Sequence, residues 1–436
     1  MFKKLKRSAL GANVPHEKAT AGMATVKMPL PARIVLPMQQ HIGAPCTPVV
    51  KKGDTVRVGT LVGKAGGFVS ANIYSGVSGT VSGIETVVGS NGAVMEAVVI
   101  VPDGQQTVDP SVQPPVVTDK AGLVKAAQDC GLVGLGGAGF PTAVKLSPKT
   151  PVDTLVINGA ECEPYLTADT REFLENSETV ISGIEAVMKY MEIKRCVIGI
   201  ERNKPECIDL MCSLVSGMAG VEVKPLASRY PQGAEKTLIE STTGREVPRG
   251  GLPSDVGVIV MNVTTISTLG KFLATGMPLT TKRLTVDGDA AAKACNVEVI
   301  VGTPAQDVID FVGLKEGVTL GKVICGGPMM GVCLADTSFP VIRQNNGLLL
   351  VSDKAAVLPE PGPCIRCGRC IEGCPMGLAP VQIAGAFQKK DVAALTALQV
   401  DLCVLCGTCS YVCPAKRPVT QTMSLAKELQ RKGGKK

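Results

Sequence analysis

Twice in this chain four cysteines stand at one spacing and end on a proline: CIRCGRCIEGCP, from Cys364 to Pro375, and CVLCGTCSYVCP, from Cys403 to Pro414. Thiolate is a soft ligand that holds iron-sulfur clusters, and a C-x2-C-x2-C-x3-C-P spacing suits that chemistry. Zinc would need closed four-ligand sets, typically two cysteine pairs, and would leave the third cysteine and the proline of each run without a purpose. The segment between the runs, PMGLAPVQIAGAFQKKDVAALTALQV, spaces its apolar residues as helices do and is expected to pack as two helices over the clusters. The nine cysteines outside the runs, Cys46, Cys130, Cys162, Cys196, Cys207, Cys212, Cys295, Cys325 and Cys333, lack ligand spacing and read mostly as small apolar core residues.

The run resembles that of bacterial two-cluster ferredoxins, in which the fourth cysteine ligates the neighbouring cluster. That resemblance assigns Cys364, Cys367, Cys370 and Cys413 to one [4Fe-4S] cluster, and Cys403, Cys406, Cys409 and Cys374 to the second.

Bulk composition bounds what the remainder can be. With 436 residues there is room for about three domains. An apolar share of 45% against 19% charged marks a globular chain rather than a disordered one. No apolar run approaches the roughly 18 residues of a spanning helix, and MFKKLKR has no apolar core behind it to make a secretory signal. A cytoplasmic compartment follows as the expectation, where 17 cysteines favour metal or redox chemistry over disulfides. The net charge of +7 is mild and sits largely in the terminal runs KKLKR and RKGGKK; with no Trp and 3% aromatics, nucleic-acid binding is not expected. Only His16 and His41 exist, so neither a catalytic triad nor a histidine general base is expected.

Upstream, GLGGAGFPTAVKL satisfies G-x-G-x-x-G through Gly134, Gly136 and Gly139. A dinucleotide fingerprint should follow a strand and open a helix. Here DKAGLVKAAQDCGL ahead of it reads as a helix, and Pro141 comes two residues after the last glycine, against the ordinary dinucleotide turn. The glycines still supply backbone that can approach a phosphate or a flat ring. Next come a buried strand, DTLVING, then NGAECEPY from Asn158, YPQGAEKTLIESTTGREVPRGGLPSDVG from Tyr230, and VIVMNVTTISTLG from Val258.

Together these segments resemble the NADH-oxidising, FMN-binding flavoprotein subunit of respiratory complex I over about residues 119–270. The resemblance implies that Gly134, Gly136, Gly137 and Gly139 form a loop against FMN with Lys145 near it. It also implies that Asn158, Glu161, Glu163, Tyr230, Glu235 and Asn262 line the flavin and nicotinamide pocket. This chain departs from the pattern at Leu135 (arginine there), Ala160 (aspartate), Lys236 (glutamate) and Met261 (asparagine). The order of parts suits the chemistry: NADH gives up two electrons as a hydride, clusters accept them singly, and a flavin can stand between.

Around this core, residues 33–101 carry short Val- and Thr-rich strands between Gly and Asp turns and look like a barrel-sandwich hybrid related to biotinyl and lipoyl domains. Lys64 lacks the methionine neighbours of a carrier lysine, so the domain reads as a docking or shielding element. Residues 104–119, rich in Pro and polar side chains, read as a linker. Residues 271–350 resemble the small β-grasp (SLBB) domain that follows the flavin core in such families, and residues 357–425 form the two-cluster part. The fold class expected is multidomain α/β and α+β.

This order of parts, with LPMQQHIGAP, GGFVSANIYSGVSG and CGGPMMG, resembles the C subunit of the Rnf electron-transport complex. The resemblance implies a peripheral subunit on the cytoplasmic face of the cell membrane, binding NAD(H), FMN and two [4Fe-4S] clusters. It would exchange electrons between NAD and ferredoxin through other subunits while membrane partners move sodium ions or protons. Two other readings share the motifs: a cobalamin reductase of diol-utilisation microcompartments, and a non-enzymatic conduit or scaffold whose flavin pocket has degenerated.

Overall fold

The computed structural model describes residues 10–89 and 92–433. The KKLKR run and the last three residues of RKGGKK lie outside them.

A parallel sheet forms the centre. Its four strands lie in the order Val221–Leu226, Arg195–Glu201, Thr154–Gly159, Val258–Asn262. Successive side chains on a strand point to opposite faces, and here both faces are apolar. Leu155, Ile157, Ile198, Ile259 and Met261 pack with the helices Ser177–Tyr190 and Val263–Thr275, whereas Val156, Val258 and Val260 pack with Leu238 and Ile239 of the helix Glu235–Thr243. Burial on both sides explains why DTLVING reads as a continuous apolar run.

The hybrid domain consists of two small antiparallel sheets. One contains Ile34–Pro37, Val94–Pro102, Gly79–Val88 and Thr55–Val56; the other contains Thr47–Pro48, Leu61–Lys64 and Ile73–Tyr74. Ile34, Leu36, Val62, Val98 and Ile100 fill the space between them. Lys64 ends its strand opposite Thr47.

After the flavin-type core comes a six-stranded mixed sheet covered by the helix Ala305–Val312, whose Ala305, Val308, Ile309 and Val312 make one apolar stripe at helical spacing. Its edge strand is Val26–Lys27, paired in parallel with Val297 and Glu298. The chain's beginning therefore completes a sheet built some 270 residues later. Between Gly11 and Lys27 the same segment runs along the core, so these residues form a strap that belongs to no single module. Residues 104–119 are likewise pinned: Thr60 donates to Asp109, and Tyr190 donates to the carbonyl of Val117.

The C-terminal part packs the helices Pro380–Gln388, Val392–Ala397 and Val419–Gly433 around Ile383, Leu395, Val400 and Met423. Two helices do lie between the cysteine runs. The runs themselves share one backbone path. Arg366 and Leu405, each two residues after the first cysteine, have φ of 55° and 54°, and Gly368 and Gly407, each after the second, have 80° and 83°.

Arg343, fully buried, joins three modules. It donates to the carbonyls of Asn72 and Ala71 in the hybrid domain and of Gly131 ahead of the glycine loop.

Candidate functional site

In the central sheet the strand formed first lies between the second and the fourth, so the chain's direction of winding reverses between Thr154–Gly159 and Val258–Asn262. Open α/β sheets bind ligands outside the carboxyl ends of strands at such a reversal. Asn158 and Asn262 stand there as register partners. Asn262 caps the helix Val263–Thr275 by accepting from the amides of Thr264 and Thr265, and its Nδ2 donates to Asp169 at 2.7 Å. Asn158 donates to the carbonyl of Gly233 at 3.0 Å.

The glycine loop reaches over this edge. Gly134 N–H to Phe140 carbonyl and Thr142 N–H to Leu132 carbonyl, both 2.9 Å, close it, and its tip at Gly136, Gly137 and Ala138 is exposed. A Cβ on Gly136 would lie 2.5 Å from Asn262 Nδ2, so only glycine permits this approach. Gly139 is held from outside the core: its carbonyl accepts from Ile42, and a Cβ there would strike Gln344. The loop follows the helix Lys120–Asp129 and opens only the four-residue helix Thr142–Lys145, unlike a dinucleotide turn. Lys145 donates to the carbonyl of Val260 at 2.8 Å and to Glu235 at 3.3 Å, which places both residues at the same sheet edge.

Both glutamates of NGAECEPY are engaged within the protein. Glu161 accepts from the amides of Asp169 and Thr170 and the hydroxyl of Thr170, holding the start of the helix Ala168–Glu175. Glu163 accepts from Met329 N–H at 3.0 Å and Met330 N–H at 2.8 Å, in the loop CGGPMMG. Burial pushes the Glu163 carboxyl up, and those two amides pull it down. Beneath them the buried Lys18 ammonium, from the strap, donates to the carbonyls of Glu161, Glu163 and Leu166.

Tyr230 sits apart from the glycine loop. Its backbone pairs with Ala12 of the strap, and its buried hydroxyl donates to the carbonyl of Cys406 at 2.6 Å. Ala12, Val14, Tyr230 and Cys406 pack together, with Cys162, Met329 and Val412 against them. The sequence motifs thus divide: Gly136, Asn262, Asn158, Lys145 and Glu235 lie at the sheet edge, while Glu163 and Tyr230 reach toward the cysteine runs.

Among the cysteines, Cys374 lines one cavity with Cys403, Cys406 and Cys409, floored by Leu378 and Met423. Three sulfurs of the second run thus meet the last of the first, as crossing requires. Cys364 and Cys367 are exposed and lie near Cys370. Cys413 is half-buried against the helical core. A soft four-thiol set around a cavity fits an iron-sulfur cluster. An exposed glycine tip without side-chain obstruction fits a flavin phosphate or ring.

Sequence reading missed Thr265, Asp169, Lys282 and Lys18. Leu135 is gripped by Thr265 Oγ1 at its N–H, 3.0 Å, and by Lys282 Nζ at its carbonyl, 3.1 Å. Asp169 was visible five residues after Pro164, but its partners are 93 and 95 residues away, and nothing local marked them. The departures are accommodated: Leu135, Ala160 and Met261 point into apolar core, and Lys236 lies half-buried on its helix.

Three known domain families match successive stretches of the chain. Residues 6–105 match the RnfC barrel sandwich hybrid domain, 127–271 the Nuo51 FMN-binding domain, and 363–416 the 4Fe-4S dicluster domain. The chain is 42% identical over 390 residues, 87% of either chain, to the C subunit of the Na(+)-translocating ferredoxin:NAD(+) oxidoreductase complex of Acetobacterium woodii. It is 41% identical to the C subunit of the proton-translocating ferredoxin:NAD(+) oxidoreductase complex of Clostridium ljungdahlii, over 86% of this chain and 82% of that one. It is 37% identical to the C subunit of the ion-translocating oxidoreductase complex of Rhodobacter capsulatus, over 94% and 80%. An NAD+-reducing [NiFe]-hydrogenase in its H2-reduced state has the same fold across 72% of this chain and 63% of its own, with a TM-score of 0.51 at 18% identity. By sequence over nearly its whole length, and by the order of its modules, the chain belongs to the family of C subunits of Rnf-type ion-translocating oxidoreductase complexes.

Proposed function

We propose that this chain is the NAD(H)- and FMN-binding iron-sulfur subunit of an ion-translocating ferredoxin:NAD(+) oxidoreductase complex. When bound, FMN exchanges a hydride with the nicotinamide and single electrons with [4Fe-4S] clusters. Gly134, Gly136, Gly137 and Gly139 provide the backbone against the flavin, and Asn262 orders their approach. Lys145 and Glu235 sit beside the same strand end, where they orient the ligand's polar groups. Glu161 and Glu163 shape the neighbouring loop rather than offer free carboxylates.

Cys403, Cys406, Cys409 and Cys374 would hold the inner cluster, and Cys364, Cys367, Cys370 and Cys413 the outer one. One observation carries this reading: the second cysteine run is seated on the flavin-type core, with Tyr230 bonded to the carbonyl of Cys406 at 2.6 Å. The first run meanwhile leaves Cys364 and Cys367 exposed, beside Ile365, for a partner subunit. No helix among the described residues is long and apolar enough to cross a membrane. Ion movement is therefore assigned to membrane subunits, with this chain peripheral on the cytoplasmic face.

The test is to reconstitute the full chain with iron, sulfide and FMN, assay all three, and add NADH without oxygen. Bound flavin, two clusters and NADH-dependent bleaching of both chromophores are expected. A loaded chain whose visible spectrum ignores NADH would overturn the proposal.

A further inference from the structure

The two peptides that flank Leu135 are each turned by a side chain from outside the glycine motif. A trans peptide points its carbonyl and its N–H in opposite directions. Lys282, in the strand Thr281–Asp287 of the β-grasp sheet, draws the Leu135 carbonyl inward, so the N–H of Gly136 faces outward at the exposed tip. Thr265 draws the Leu135 N–H inward, so the carbonyl of Gly134 is turned outward. Among the described residues, the Gly136 N–H has no acceptor of its own.

Lys282 is an expensive way to hold one carbonyl. Its side chain is 3% exposed, and it makes its hydrogen bond to Leu135 rather than to a carboxylate. Burying an ammonium costs folding free energy, which the carboxylates near it offset only in part. Asp169, Glu172, Glu161 and Arg283 are the charges near it. Asp169 is itself tied through Asn262 to the underside of Gly136. Charge and loop are thus one construction, shared between the core and the β-grasp domain.

We propose that Lys282, together with Thr265, is a positioning residue of the flavin site: it sets the Leu135–Gly136 peptide so that the Gly136 amide is presented to an acceptor oxygen of the ligand. The β-grasp domain thereby becomes part of the cofactor site rather than a neighbour of it. The inference rests on the flavin reading above.

The experiment titrates FMN into the cluster-reconstituted full chain, following flavin fluorescence quenching, and compares wild type with Lys282→Met, Lys282→Arg and Thr265→Val. The loss of one hydrogen bond to a charged group predicts FMN binding weaker by roughly tenfold or more in Lys282→Met. Lys282→Arg, which keeps a cationic donor, should recover most of that loss. Hydrogen exchange of the ligand-free chain over residues 134–140 should rise in Lys282→Met with the rest unchanged. Thr265→Val, which frees the other peptide, covers the case in which Lys282→Met fails to fold and should weaken FMN several-fold. Wild-type chain that does not take up FMN overturns the flavin reading itself. Wild type that binds FMN, with Lys282→Met or Thr265→Val binding equally well, overturns this inference alone. So does a loss matched by a general fall in melting temperature that Lys282→Arg does not repair.

Discussion

The hydroxyl of Tyr230 and the carbonyl of Cys406 form a 2.6 Å hydrogen bond in a buried junction where the flavin-type core meets the second cysteine run. Tyr230→Phe removes the donor and leaves a buried carbonyl unpaired, a cost of about 1–3 kcal/mol. Denaturant unfolding should register that loss. Iron should also leave Tyr230→Phe faster than wild type under a chelator, because a loop carrying a ligand is released; equal release rates would contradict this.

Glu163 joins the core to the β-grasp loop at Met329 and Met330. In Glu163→Gln one of two amide donors faces an NH2 group that cannot accept. We expect NADH oxidation to slow by more than FMN content falls, together with destabilisation of about 1–3 kcal/mol. Flavin assay, turnover and denaturant melts on the same sample decide the matter, and an unchanged rate and stability would refute the anchoring role of Glu163.

Arg343→Met removes the guanidinium from the carbonyls of Asn72 and Gly131, which lose their donor, and of Ala71, which keeps the Cys46 thiol. Destabilisation of roughly 3 kcal/mol or more is expected in thermal or denaturant melts. Arg343→Lys should recover little, since one ammonium cannot span the positions a guanidinium fork reaches.

Cys374 lines the cavity of the second run although it belongs to the first. Cys374→Ser should disturb the cluster held by the second run, and Cys413→Ser the cluster held by the first. Iron content and electron paramagnetic resonance of the reduced chain check this. Loss of the first run's own cluster in Cys374→Ser, or of the second run's own cluster in Cys413→Ser, would argue against crossing.

Asp169 and Lys282 give stability a pH signature of opposite sign at the two ends. Burial, with Glu161, pushes the Asp169 carboxyl up to about 6 from 3.8, against Lys282, Thr264 and Asn262. The folded chain then holds more protons than the unfolded one in that window, so the contribution of Asp169 is greatest below pH 3.8 and is lost as pH rises through about 6. Burial lowers Lys282 to about 8 from 10.5, although Asp169, Glu172 and Glu161 oppose it. Its contribution therefore grows as pH rises from about 8 toward 10.5. Asp169→Asn should flatten the acid limb of stability against pH, by no more than about 3 kcal/mol, and Lys282→Met the alkaline limb. Denaturant melts across pH test both, and profiles parallel to wild type would refute the assignment.

Much of the molecule was legible before any fold was known, where the signal was local. Ligand spacing in Cys364–Cys374 and Cys403–Cys413 needs only a few residues of backbone, and the structure repeats one path through both. Buried strands such as Thr154–Gly159 announce themselves by unbroken apolar runs. The glycine loop was legible as a loop, and its departure from a dinucleotide turn was visible in the helix ahead of it and in Pro141 behind it.

The amino-acid order by itself determined many of the elements and the two cysteine runs with their spacing, because periodicity, turn chemistry and ligand spacing act over short stretches of chain. Tertiary structure alone decided that Glu161 and Glu163 are internal anchors, that Lys18 comes from a strap at the chain's beginning, and that Lys282 serves a glycine loop 147 residues away. A buried polar group takes whichever partner the packed fold brings within about 3 Å, and no local pattern encodes a partner so distant in the chain.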